Sequence, residues 1–170
     1  MRPIALAFLL AAACASPRAS GSASPSGSGN ASLVGAWASK VEFRSGALAE
    51  FQDLEFMVVF AEGGTVTESS NYDAAPPVPP AYGTWREVSP NRFRARYEFF
   101  MTRPATEDEE DKASGGWMPN GRGVLAEEIQ LAPDGRSFTS TIHCDFFDVA
   151  GKPAEGGGSG VAHGTRQPAP

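Results

Sequence analysis

Arg92-Phe93-Arg94-Ala95-Arg96-Tyr97-Glu98-Phe99 sets Phe93, Ala95, Tyr97 and Phe99 against Arg92, Arg94, Arg96 and Glu98 in strict alternation. Successive side chains of a strand point to opposite faces, so this pattern is a half-buried β-strand. Just before it, 82–88 reads as another strand, carrying Gly83-Thr84-Trp85 and turned by Ser89-Pro90-Asn91. Beyond it lie a long connection over 103–122, a strand over 123–131, the turn Ala132-Pro133-Asp134-Gly135-Arg136 and a strand over 137–147. A loose segment, 148–158, leads to a last strand at about 159–166.

Towards the N-terminus, 65–70 is a short polar, β-branched strand, and Ala61-Glu62-Gly63-Gly64 is a tight turn. The strand over 54–60 is apolar on both faces, so its register stays open. The first strand, 33–43, puts Trp37, Ser39, Val41 and Phe43 on one side. Between 71 and 81, Pro76-Pro77-Val78-Pro79-Pro80 cannot be an interior strand.

Counted this way the chain has eight strands, with long connections at 44–53, 71–81, 103–122 and 148–158 and short turns between. In an up-and-down meander, alternate connections share one end, so the long loops gather at one end and the turns at the other. The expectation is an all-β, eight-stranded antiparallel up-and-down barrel over 33–167, with 168–170 as a tail. A two-sheet sandwich with Greek-key crossings is the rival, and it does not explain the alternation of lengths. The net charge of −6 and the scattered arginines argue against nucleic acid, whose phosphates require clustered Lys and Arg.

Residues 1–13 carry one basic residue, Arg2, and an apolar run from Ile4 to Ala13 that is too short to cross a membrane. The run fits a secretory signal, and Leu10-Ala11-Ala12-Ala13-Cys14 resembles a bacterial lipobox. That resemblance implies acylation of Cys14 and a bacterial cell-envelope lipoprotein, in the outer membrane if the cell has two. Ordinary cleavage near Ala13 or Ala15, giving a secreted protein, is the alternative. Residues 14–32 are rich in Ser, Gly and Pro and have too little apolar surface to fold, so they read as a disordered tether. A coil of this kind spans roughly 20–25 Å. With Cys14 acylated, Cys144 has no disulfide partner and reads as a buried, inert thiol.

Gly35-Ala36-Trp37 at the first strand and Gly164-Thr165-Arg166 at the last resemble the lipocalins and the wider calycin superfamily. The resemblance covers 33–166 and implies a barrel floor in which Gly35, Trp37 and Arg166 meet. The turn after the sixth strand departs from the family pattern. The chain also ends without the usual C-terminal helix, and it has no disulfide.

The resemblance further implies a small hydrophobic ligand in the barrel. The candidate cavity residues are Val41, Phe56, Val58, Phe93, Tyr97, Phe99, Leu125, Glu127, Ile129, Phe138, Ser140, Ile142 and Cys144. Tyr97, Glu127 and Ser140 would supply polar contacts. The same residues could instead fill the barrel solid. Trp117 and Met118, beside Gly115-Gly116, are candidates for a lid. The run Glu107-Asp108-Glu109-Glu110-Asp111 lacks the spacing of a calcium loop and reads as a solvated face. His143 and Cys144 point to opposite faces of a strand and form no dyad, while His143 and His163 lack a third ligand. No metal, cofactor or catalytic motif is expected. A solid interaction or envelope module and a barrel isomerase or cyclase remain the alternative functions.

Overall fold

A computed structural model describes residues 31–72, 79–112 and 115–170. The signal-like segment 1–13, Cys14, most of the tether and the proline run at 76–78 lie outside the described residues. Eight antiparallel strands close into one barrel in sequence order. They are β1 (Gly35–Phe43), β2 (Leu54–Phe60), β3 (Thr65–Ser70), β4 (Ala81–Ser89), β5 (Arg92–Pro104), β6 (Trp117–Leu131), β7 (Ser137–Phe147) and β8 (Pro153–Arg166). The seam pairs β1 with β8, from Trp37 opposite Arg166 to Phe43 opposite Gly160. Closure gives each of the eight strands a neighbour on both sides.

The open register of β2 is settled by burial: Leu54, Phe56, Val58 and Phe60 point inward, and Met57 and Val59 point out. Only the inward set meets the Trp37 row of β1, through the pairing of Trp37 with Val58.

Two hairpins are longer than the sequence pattern suggests. β5 and β6 pair beyond the barrel wall, with Thr102 opposite Pro119, Arg103 opposite Met118 and Pro104 opposite Trp117. A register shift between Phe100 and Thr102 breaks the alternation there, and this hides the extension in the sequence. Trp117 and Met118, expected in a loop over the mouth, are therefore the first residues of β6. β8 likewise starts at Pro153, six residues before the expected start, after a shift opposite Cys144 and Phe146.

At the long-loop end a 3-10 turn, η1 (Ala47–Glu50), packs Leu48 and Ala49 on the core. Its neighbouring loop is pinned by Asn71, whose Nδ2 donates to Asp53 O at 2.8 Å and whose Oδ1 accepts from Glu55 N at 3.0 Å. Phe51 and Tyr72 meet edge to face at 4.9 Å over the same junction.

Candidate functional site

The short-turn end is filled by rings. Trp37 is fully buried; its Nε1 donates to Leu33 O at 2.9 Å and its ring meets Phe138 at 5.0 Å. Phe60 contacts both Trp85 and Phe138, and Trp85 meets Phe93 at 5.7 Å. Arg166 closes this floor. Its guanidinium lies 4.3 Å from the Trp37 ring centre. Its Nε donates to Gly135 O at 2.7 Å, Nη1 to Val34 O at 2.7 Å and Nη2 to Ser32 O. Gly35 has φ 140°, and a Cβ there would sit 2.5 Å from Arg166 Nη1, so only glycine leaves room for the clamp. Gly35, Trp37 and Arg166 are thus brought together, and the same clamp holds the chain where it enters the barrel.

Midway up the barrel the interior turns polar. β6 presents Leu125, Glu127, Ile129 and Leu131 inward, so Glu127 sits in an otherwise apolar row. It is 4 % exposed. Ser140 Oγ donates to its Oε1 at 2.5 Å, and Tyr97 Oη donates to its Oε2 at 3.1 Å. Tyr97 comes from β5 and Ser140 from β7, the two strands that flank β6. Burial pushes the Glu127 carboxyl above its ordinary value, while the two hydroxyl donors pull it part of the way back. Burial also pushes the Tyr97 phenol well above 10.0, and the charges of Glu127 and Glu68 add to this.

Glu68, from β3, is therefore close enough to act on Tyr97, and it is 5 % exposed. Ser39, 3 % exposed on β1, also faces the interior, and its Oγ has no hydrogen-bond partner. The sequence pattern placed Glu127, Tyr97 and Ser140 among the candidates but not Glu68 or Ser39. Glu68 was hidden because β3, Thr-Val-Thr-Glu-Ser-Ser, carries a single apolar residue, Val66, to mark its inward face.

The remaining candidates all lie on inward positions. Val41, Phe56, Val58, Phe93, Leu125, Ile129, Phe138, Ile142 and Cys144 are buried, and Phe99 is half-buried. The Phe99 ring occupies the place that a Cβ on Gly123 would take, with Cζ 2.2 Å from that position. The Cys144 thiol is pushed up to about 12, first by burial and then by Asp145, so it stays protonated and unreactive.

A concavity of about 790 Å³ runs from β4 to β8, and its lining takes in Glu127 and Glu128 of β6 and Ile142 of β7. Its rim includes Arg44, Arg86, Arg94 and Arg96. Three of these carry surface ion pairs: Arg44 with Glu42, Arg94 with Glu128, and Arg96 with Glu98. His143 also lies on this face, bonded through Nδ1 to Ser159 Oγ at 2.9 Å and through Nε2 to Asp145 Oδ1 at 3.1 Å. Among the described residues, no group of three His, Cys, Asp or Glu side chains is placed to hold a metal ion.

The acidic run forms a 3-10 turn, η2 (Glu107–Lys112), at the tip of the β5–β6 hairpin. Arg103 grips Glu109 with two bonds, of 2.7 and 2.8 Å, and Thr106 donates to the same carboxylate. These donors hold the Glu109 carboxyl down at about 2.

Comparisons with protein families, with curated proteins and with solved structures find no match to this chain.

Proposed function

We propose that this protein is a lipocalin-like carrier, anchored in the bacterial cell envelope through Cys14, that holds a small hydrophobic molecule inside the barrel. One observation carries the reading: an apolar interior encloses a small set of convergent polar groups, Glu127, Tyr97 and Ser140, far from solvent. Small-molecule sites have this make-up, with mostly apolar walls and a few placed polar groups that fix orientation. A barrel built only for stability gains nothing from a buried carboxyl, whose desolvation is costly. Leu48 and Ala49 of η1 then act as the lid, and the anchored end is the Arg166 floor, so the mouth faces away from the membrane.

Native mass spectrometry of protein purified from its own host tests this directly. The expected result is a co-purified small molecule that leaves on gentle activation. Repeated recovery of protein without any bound mass overturns the carrier reading. Replacing Cys14 with Ser tests the anchor separately, and the variant is expected in the soluble envelope fraction.

A solid barrel acting as an interaction module is the second reading. It is favoured by the four ring contacts that fill the floor half.

A further inference from the structure

Resting on the carrier reading, we infer that the molecule held in the barrel is a cationic amine on an apolar body, with its ammonium group seated against the Glu127 carboxylate. The inference starts from the partners Glu127 has. Both are neutral hydroxyls, one on each carboxylate oxygen. A buried carboxylate is ordinarily matched by a cation or by several strong donors. Among the described residues, the buried polar and charged side chains are Ser39, Glu68, Glu127 and Ser140; no Lys, Arg or His is buried with them.

Each carboxylate oxygen can accept two hydrogen bonds, so both oxygens of Glu127 have room for one more donor. Ser39 Oγ, buried and without a partner, is a second polar position unfilled within the same interior. β8 lies between Ser39 and Ser140, and it turns only Gly164 and Ala162 inward opposite them. On the inner face of β8 the ring of Phe138 lies over Gly164, where a Cβ would otherwise stand.

The chemistry of the occupant follows. An ammonium brings three donors and no acceptor, which matches an interior with acceptors in excess. An alcohol brings one donor and no charge. A carboxylic acid adds a like charge beside Glu127 and Glu68 and is disfavoured. The concavity from β4 to β8 is mixed in charge: Arg44, Arg94 and Arg96 on its rim are paired with Glu42, Glu128 and Glu98, and Arg86 stands beside them.

The test titrates the full chain with decylamine, decanol and decanoate, below their aggregation concentrations at pH 7.5, by isothermal calorimetry. Decylamine is expected to bind about tenfold tighter than decanol, and decanoate weakest. Glu127→Gln is expected to bring decylamine down to the affinity of decanol while leaving decanol unchanged. If decanol or decanoate binds as tightly as decylamine, the amine inference is overturned and the carrier reading stands. If none of the three binds, the carrier reading falls and the inference with it. Should Glu127→Gln fail to melt cooperatively, the ranking of the three ligands on the unaltered protein decides alone.

Discussion

At the floor of the barrel, Trp37 is packed edge to face on Phe138 at 5.0 Å, and Arg166 spends its donors on three backbone carbonyls. Midway up, Glu127 is as deeply buried as those rings, yet it meets only Tyr97 and Ser140. The floor ties the Trp37 indole and the Arg166 guanidinium to carbonyls of the chain and gains apolar contact. The middle keeps a carboxyl out of water and gives it no cation. The first arrangement is what stability selects; the second costs stability and makes sense as a site.

The sharpest way to break that contrast is at Trp37. Trp37→Ala leaves a cavity beneath Phe138 and is expected to cost about 3–5 kcal/mol in urea unfolding. A loss below about 1 kcal/mol would mean that the floor is not the stabilising half. Arg166→Ala comes next. It removes a guanidinium from three carbonyls and from the indole face, and is expected to cost roughly 2–3 kcal/mol in the same measurement.

The middle should respond to pH rather than to packing. The folded chain holds the Glu127 proton more tightly than the unfolded chain, because its folded value lies above the ordinary 4.5. Its contribution to stability is thus complete below 4.5 and is lost as pH rises through the raised value. Melting curves of the unaltered protein and of Glu127→Gln, taken from pH 4 to pH 8, are expected to diverge with rising pH in favour of the variant. Parallel curves would place Glu127 in the same class as the floor.

The smallest effect belongs to the hairpin tip, where a second carboxyl supplies the control. Glu109 is held at about 2 by Arg103 and Thr106, so its contribution is present above 4.5 and fades as pH falls towards 2. The pair is solvent-accessible, and exposed ion pairs contribute little. Arg103→Ala is expected to leave the urea midpoint unchanged, while an NMR titration shows Glu109 returning towards its ordinary 4.5.

The sequence made the floor more legible than the middle. Alternation along 92–99 and the spacing of loops were enough for eight strands and closure, and the bounds of β2, β3 and β7 match those read from pattern. The register of β2 was not readable because Phe-Met-Val-Val-Phe is apolar on both faces, and only the neighbouring Trp37 row decides it. The extended ends of β5, β6 and β8 were missed because bulges and a glycine-rich run break the period of two. In the middle, Glu127 stood out as an acid in an apolar row. Glu68 did not, since its approach to Tyr97 inside the barrel depends on closure rather than on any local pattern, and Ser39 was legible only as a member of the Trp37 face.

Isotope-filtered NOE spectroscopy of the protein with bound decylamine tests the central claim most directly. Contacts from the methylene beside the nitrogen to the Tyr97 ring and the Ile142 methyls are expected. Contacts confined to Ala126 and Val161, on the lining of the concavity from β4 to β8, would contradict the account.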